Sequence, residues 1–449
     1  MRKKELRKLI IIVSLVSVLA IGVPLMSGCF GAPAAAPPEA PPAAAPPEAP
    51  PPEPAPEPEP APEPELGPIK VGGTWAITGP YAADGQNYYR GMDFALDEIN
   101  ASGGVLGRPL ELVPFDIKDF APELLMQAAD QLCGVDKVHM VNGGWAGWGG
   151  DYRAFGKYDV PFFNIDAATT SLEVFREDPV QYSNCFMMEQ VETGFGLEYV
   201  DFMNWIPFDY PNNKVALIAA DDAWGRGLTT AVQEKAEQTG WEVVIYEVVP
   251  YGTREWAPIL TKIRTQEPAW LVIEICSPPE VITFFNQFME QPTNTILNYG
   301  YSWAAPEFLE IMGEEGNGIT GLGSVLPHPG PTVEDQELAA AYEARYGTQF
   351  NPASVCTYAS LYVWKEAVEQ VGDVTDYAAI NEYLATHAME VSPSLVYSFN
   401  EDQVATSEVL PFAYMQIQDG DFVSIYWKGE GYTDWQGTTY DFQVPPWIE

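Results

Sequence analysis

One glycine-rich loop of this sequence has the residue types that bind an anion. It reads Gly143-Gly144-Trp145-Ala146-Gly147-Trp148-Gly149-Gly150 and follows a β-prone run from Lys137 to Asn142. Glycine has no Cβ, so backbone amides in such a loop can approach a carboxylate closely. The glycine spacing does not match a dinucleotide-binding fingerprint. The loop therefore predicts a site for the anionic group of a small ligand.

The sequence lacks the motifs that would indicate an enzyme. The three histidines, His139, His328 and His387, are far apart, so neither a metal cluster nor a Ser-His pair is indicated. There is no G-x-S-x-G elbow and no G-x-x-x-x-G-K motif. Acid pairs such as Asp221-Asp222 more often cap a helix than form a glycosidase dyad. We expect a binding protein with no cofactor and no metal.

The N-terminus predicts export and a lipid anchor. A basic start is followed by an apolar stretch from Leu9 to Met26, which is typical of a secretory signal. It ends Leu25-Met26-Ser27-Gly28-Cys29, which resembles the bacterial lipobox, where the cysteine is lipidated and becomes the mature N-terminus. The alternative is an uncleaved transmembrane helix, since about 18 apolar residues can just span a bilayer. Both interpretations put the remaining chain outside the cytoplasm.

Residues 29–66 contain little but Pro, Ala and Glu after the first few positions. Such a composition cannot bury a core, so we expect a disordered linker. Polyproline II rises about 3.1 Å per residue, and a segment of this length can reach on the order of 100 Å. The linker is therefore interpreted as a stalk between Cys29 and a folded domain.

The chain is strongly acidic, with a formal net charge of −41. Nucleic acid is excluded as a partner because a phosphate backbone requires a basic face. The acidity fits either a saline habitat or solubility, and it does not indicate the ligand.

Besides Cys29 there are four cysteines: Cys133, Cys185, Cys276 and Cys356. Outside the cell they could form up to two disulfides, whose pairing the spacing does not determine. Buried unpaired thiols are the alternative.

The region from Gly67 to Glu449 has about 380 residues, enough for two lobes. Apolar strand patterns alternate with helical patterns throughout, which predicts an α/β fold with doubly wound parallel sheets. Ligands of such sheets bind at the carboxyl ends of the strands. The strands are predicted at Ile69–Ile77, Leu110–Ile117, Lys137–Asn142, Val160–Ile165, Lys214–Ala220, Trp241–Val249, Ala269–Cys276, Ile296–Tyr299 and Gly318–Val325.

Several motifs in order resemble the branched-chain amino-acid binding proteins. The sequence has "TGP" at 78–80, an acidic-apolar helix that ends "EIN" at 98–100, and "GGVLGRPLEL" at 103–112, followed by Asp116. The similarity continues through 160–170 and 214–227, and covers nearly the whole chain from Ile69. These are type I periplasmic binding proteins that serve ABC importers.

The resemblance implies a Venus-flytrap fold whose two lobes are joined by three crossover segments. We place lobe 1 at 67–185 and 326–398 and lobe 2 at 186–325 and 399–449, after a signal peptide (1–28) and the linker (29–66). A small ligand docks on lobe 1, lobe 2 closes over it, and an ABC permease recognises the closed form. We expect a monomer. The alternative is a sensory receptor domain that reports the ligand to a membrane protein.

The resemblance also implies ligand-binding residues in lobe 1. The glycine-rich loop, with Trp145, Ala146 and Gly147, corresponds to one that gives a hydroxyl and an amide to the ligand's carboxylate. Here Ala146 or Gly147 stands at the hydroxyl position, which argues against a standard α-amino acid. The loop Ala167-Ala168-Thr169 corresponds to the second carboxylate-binding loop. A helix cap by Thr170 or Ser171 is the structural alternative there.

In lobe 2, Trp224 stands where the family has an aromatic residue that covers the ligand. Ser277 and Tyr301 fall in two further contact loops, and the family's acid for an amino group is not visible. Asp221 or Asp222 could replace it, although an acid there could also cap the following helix. Aromatic residues in the cleft loops suit a flat, apolar or cationic ligand; they are Tyr81, Trp145, Trp148, Trp224, Tyr301 and Trp303.

Overall fold

The computed structural model describes residues 67–448, apart from 80, 119–120, 145–147, 166–167, 276–277, 301–305, 324–331, 393–394, 406–411 and 429–439. The predicted signal peptide, Cys29 and the linker lie outside the described residues. Among those described, no helix is both long and apolar enough to span a bilayer.

Strands and helices alternate along the chain, as the hydrophobic pattern predicts. The strands are β1 (Ile69–Trp75), β2 (Leu110–Asp116), β3 (Val141–Gly143), β4 (Phe162–Asn164), β5 (Cys185–Met187), β6 (Lys214–Ala220), β7 (Glu242–Val249), β8 (Trp270–Glu274), β9 (Ile296–Tyr299), β10 (Thr320–Gly323), β11 (Met389–Ser392), β12 (Leu395–Tyr397), β13 (Phe412–Gln418) and β14 (Asp421–Lys428). The α-helices are α1 (Ala82–Ala101), α2 (Pro122–Ala129), α3 (Gly150–Phe155), α4 (Thr169–Glu177), α5 (Glu192–Trp205), α6 (Ala223–Gln238), α7 (Ala257–Gln266), α8 (Pro278–Met289), α9 (Pro306–Met312), α10 (Val333–Tyr346), α11 (Pro352–Val371) and α12 (Tyr377–Thr386). A π-helix (Asp130–Asp136) continues α2.

Five parallel strands form the first sheet, in the order β2-β1-β3-β4-β5. One apolar cluster contains Val71 of β1 and Trp364 of α11, and another contains Val141 of β3 and Phe155 of α3. The two clusters cover the two faces of the sheet, as expected for strands with continuous apolar sequence.

The second sheet repeats this order and adds an antiparallel pair. Its seven strands run β14-β13-β10-β9-β8-β6-β7, with β13 antiparallel to both β10 and β14 and the other neighbours parallel. Alternate residues of β6 enter different clusters: Ala216 and Ile218 one, Val215 and Leu217 the other. This sheet is therefore also covered on both faces.

Both sheets have a topological switch point, where consecutive crossovers leave in opposite directions. In the order β2-β1-β3-β4-β5 it lies between β1 and β3, and in the second sheet between β6 and β8. Open α/β sheets bind ligands at the carboxyl ends of the strands at such a point. The topology thus selects two strand-end regions in which to search for a site.

The α/β class with two doubly wound lobes is confirmed, and β6 and β9 have the predicted bounds. The hairpin of β13 and β14 was not predicted. The bounds of the lobes stay a prediction, since the second predicted crossover, near 323–327, falls largely outside the described residues.

Cys133, Cys185 and Cys356 are buried free thiols. The alternative without disulfides is therefore correct for these three, and Cys276 lies outside the described residues. Burial raises the pKa of the Cys133 thiol to about 12, so this group stays protonated at neutral pH.

Candidate ligand-binding site

The two predicted carboxylate-binding loops of lobe 1 lie against each other. Gly149 has φ +91°, and a Cβ there would be 3.0 Å from the carbonyl oxygen of Thr170. A side chain at position 149 would therefore separate the loop after β3 from the start of α4. The predicted contacts Trp145, Ala146, Gly147 and Ala167 lie outside the described residues.

Helix α4 begins at Thr169 with Ala168 in the cap position and without a side-chain cap. The alternative of a cap by Thr170 or Ser171 is therefore wrong. Instead, the backbone amide of Thr169 donates to Oε2 of Glu192 at 2.7 Å. A carboxylate thus occupies the amide that the sequence assigned to an anion, and this carboxylate belongs to the protein.

Glu192 is the first residue of α5, which packs with the second sheet through Tyr199 and Phe202. Its side chain is buried and lies against Gly227 of α6, where a Cβ would be 2.5 Å from Oε1. Burial raises the pKa of the Glu192 carboxyl, while the hydroxyl and amide of Thr169 act in the opposite direction. Glu192 therefore joins the lobes at the start of α4.

Trp224 lies in the first turn of α6, one turn from Gly227. Its indole is 5.5 Å from the ring of Phe195, and it packs against the apolar clusters of both sheets. Nε1 donates to Oε1 of Glu274 at 3.1 Å. Trp224 is therefore at the contact between the lobes, beside the switch point of the second sheet.

Glu274 ends β8 and is 1% exposed. The position after β9 is Gly300, where a Cβ would be 1.6 Å from Oε2 of Glu274. The carboxylate therefore fits only because residue 300 is a glycine.

Glu280, in the first turn of α8, is a third buried acid at this edge. Oε1 accepts from the amide of Gly252 at 2.7 Å. Oε2 is buried without a hydrogen-bond partner among the described residues. An acceptor of this kind suits a ligand that brings a donor.

The acids that the sequence offered for a cationic group have other partners. Oδ1 of Asp222 accepts from the amide of Gly225 at 2.6 Å, which confirms the helix cap, and Oδ2 accepts from the hydroxyl of Tyr251. Asp221 pairs with Arg226 at 2.6 Å on the surface. Neither acid is free to serve as the missing partner of an amino group.

Tyr81 occupies the cap position of α1 and packs, partly buried, beside the strand ends of the first sheet. Ala168 and Thr169 lie at the same edge, while Trp224 belongs to the second sheet. Ser277 and Tyr301 lie outside the described residues. Their roles as ligand contacts stay predictions.

The sequence prediction missed Glu192, Glu274 and Glu280. Glu274 had a recognisable signal, because it ends the apolar run Trp270-Leu271-Val272-Ile273, and an acid in a fully buried strand is rare. Glu280 follows Pro278-Pro279 at a strand-to-helix transition. Glu192 had no local signal, because its burial depends on helix α6.

Residues 68–421 match the periplasmic binding protein family. The Leu/Ile/Val-binding protein homolog 7 of Brucella abortus is 24% identical over 375 residues, which cover 80% of this chain and 91% of that protein. A putative branched-chain amino acid ABC transporter protein from Silicibacter pomeroyi superposes with a TM-score of 0.75 at 29% identity, covering 85% of this chain and 100% of the other. A solute-binding protein of an R. palustris ABC transporter, in complex with benzoate, gives 0.64 at 17% identity, covering 85% and 100%.

The two-lobed fold and this match define the class: the chain belongs to the periplasmic binding protein family. Within it, the chain is similar to proteins whose names describe branched-chain amino-acid binding and ABC transport.

Proposed function

We propose that this protein is a lipoprotein anchored through Cys29, without catalytic activity, that captures a small organic ligand between its lobes and delivers it to an ABC permease. The ligand is amino-acid-like, with a group that accepts hydrogen bonds and a cationic nitrogen. The observation that carries the proposal is the contact between Thr169 and Glu192, which joins the start of α4 to the acidic edge of the second sheet.

The charges at the two edges support a ligand of this class. Glu192 and Glu280 are buried at the second edge, and a buried carboxylate is stabilised by an opposite charge. The start of α4 presents the positive end of a helix, which favours an anionic group beside the Thr169 amide that Glu192 already occupies. A benzoate-like ligand would satisfy the first edge and leave the acids of the second without a counter-charge.

A thermal-shift panel on the full chain tests the ligand class. The compounds are L-leucine, L-phenylalanine, benzoate, benzamide and choline. We expect the compounds with a cationic nitrogen to stabilise the protein more than benzoate does. A compound that binds stabilises the folded protein by about 2.7 kcal/mol at a concentration one hundred times its dissociation constant. Stabilisation by benzoate alone would disprove the cationic class, whereas no stabilisation by any compound would count against the proposed function.

Trp224→Ala tests where the ligand lies. We expect the variant to fold and to bind the best panel compound more weakly by calorimetry, because the half-buried indole covers the cleft. Unchanged affinity would mean that the ligand does not lie against Trp224.

Cys29→Ser tests the anchor. We expect the variant to lose incorporation of labelled fatty acid and to leave the membrane fraction of the cell. Cys133→Ser is the matched control, because the buried Cys133 thiol has no part in anchoring. Equal lipid incorporation in both variants would contradict the assignment.

A further inference from the structure

Trp224 and Glu274 lie on opposite sides of the switch point of the second sheet. Strand β6 leads into the loop before Trp224, and β8 ends at Glu274. The two strands are neighbours, with Ala219 of β6 paired to Glu274. The hydrogen bond from the indole to the carboxylate therefore crosses the point where this fold binds its ligands.

Several features fit the Glu274 carboxylate to this position. It is buried almost completely, beside a glycine that leaves room for it. A buried carboxylate costs solvation free energy that an apolar side chain of similar size would not. If position 274 served only to pack the core, Leu would therefore stabilise the fold more than Glu.

The acceptor determines how the indole of Trp224 is oriented. An indole has one hydrogen-bond donor, Nε1, at one edge of the ring. The ring centroids of Phe195 and Trp224 are 5.5 Å apart. An apolar contact of this kind restricts the position of the indole more than its rotation. An acceptor at 3.1 Å from Nε1 fixes the rotation as well.

We propose that Glu274 is a positioning residue: it holds the indole of Trp224 in the orientation that covers the ligand, and it acts on affinity through Trp224 rather than by touching the ligand. This rests on the proposed function, in which Trp224 contacts the ligand. It predicts that any side chain with an acceptor at this place keeps affinity, whether or not it is charged.

Fluorine NMR of the full chain labelled with 5-fluorotryptophan tests the orientation without a ligand. The Trp224 resonance is identified by its loss in Trp224→Phe. We expect Glu274→Leu to shift or broaden it and Glu274→Gln, which retains an acceptor, to leave it nearly unchanged. An unchanged Trp224 resonance in Glu274→Leu would overturn the proposal.

Asn204→Leu is the matched control. Oδ1 of Asn204 accepts from Nε1 of Trp241 at 3.0 Å, just before β7 at the amino edge of the same sheet. We expect this variant to move the Trp241 resonance, leave that of Trp224 in place and preserve affinity.

A double-mutant cycle then tests the effect on affinity, with the compound among L-leucine, L-phenylalanine, benzoate and choline that stabilises the parent most as the probe. We expect Glu274→Leu to weaken binding about tenfold and to have no further effect in Trp224→Phe. Equal weakening in both backgrounds, or a loss in Glu274→Gln as large as in Glu274→Leu, would show direct charge contact and overturn the proposal. If no compound binds, the proposed function fails while the NMR result still decides the role of Glu274.

Discussion

The carboxyl edges of the two sheets share a strand order but differ in chemistry. The first edge presents the start of α4, where the backbone amide of Thr169 donates to Glu192. The second edge presents the buried acids Glu192, Glu274 and Glu280. One edge therefore presents a donor and the other presents acceptors, and the two edges meet in the hydrogen bond from Thr169 to Glu192.

The helices that begin at these two edges also differ in where their capping carboxylate comes from. Helix α6 is capped by Asp222 from its own segment, whereas α4 has Ala168 at the cap and receives the carboxylate of Glu192 from the other lobe. A helix capped from a different lobe is coupled to the arrangement of the lobes. The start of α6 is therefore stabilised by its own segment, whereas the start of α4 is stabilised by a residue of the other lobe.

The largest effect that separates the two edges is expected from glycine substitutions. A Cβ at Gly85 would be 2.0 Å from the backbone oxygen of Ala76, and one at Gly300 would be 1.6 Å from Oε2 of Glu274. We expect Gly85→Ala and Gly300→Ala each to lower the free energy of unfolding by about 2–4 kcal/mol in urea titrations. Only the second clash involves a side chain, so only Gly300→Ala should recover partly when combined with Glu274→Ala.

Gly150→Ala is the control for these substitutions. Its Cβ would have Leu125 Cδ1 at 3.7 Å as the nearest atom, an ordinary contact. We expect a change within about 0.5 kcal/mol. The absence of any recovery in the Gly300→Ala, Glu274→Ala double variant would mean that Glu274 does not define the second edge.

A smaller effect should distinguish the two helix caps. Asp222→Ala should lower the free energy of unfolding by about 1 kcal/mol, the usual cost of a lost cap, and leave α4 unaffected. Glu192→Ala should increase exchange of the amides at the start of α4 about tenfold. Hydrogen exchange read by mass spectrometry checks both. Equal exchange of the α4 peptide in the two variants would remove the distinction between the caps.

Much of the fold follows from the sequence because parallel strands are buried on both faces. Runs such as Lys214–Ala220 are continuous in apolar residues, and their order along the chain fixes a doubly wound arrangement. The hairpin of β13 and β14 was missed although its signal is present. Asp419 and Gly420 both have positive φ between the strands, as an Asp-Gly turn requires.

The candidate site was predicted less completely, for a physical reason. Asp222 was recognised as a possible cap because its partner, Gly225, is three residues away. Glu192 meets Thr169 and Gly227 only after the lobes are assembled, so no local pattern reveals its burial. Local hydrogen bonds are encoded in spacing, whereas the partners of a buried acid are encoded in tertiary structure.

The smallest effect we expect is a difference in pH dependence between acids of the two edges. At the second edge the pKa of Glu192 is raised, with burial as the largest cause. At the first edge burial alone would raise the pKa of Asp116, but hydrogen bonds from the hydroxyl of Thr78 and from the amides of Lys118 and Thr78 lower it. The two carboxylates therefore affect stability with opposite sign.

The ionised form of Glu192 costs stability, so the folded protein loses stability as pH rises from the ordinary Glu range through the raised pKa. Glu192→Gln should thus exceed the parent by a few tenths to about 1 kcal/mol at pH 7, an advantage that disappears below the ordinary Glu pKa. Asp116 stabilises above the ordinary Asp pKa, and its contribution is lost as pH falls through the lowered value. Asp116→Ala should therefore show a deficit at pH 7 that disappears in strong acid. Urea unfolding at pH 7 and pH 4 measures the difference for Glu192→Gln, and titrations carried to lower pH measure that for Asp116→Ala. Each variant is compared with the parent, so the contributions of the other acids cancel. A deficit for Glu192→Gln at pH 7 would mean that the ionised acid stabilises the folded protein even without a cationic ligand.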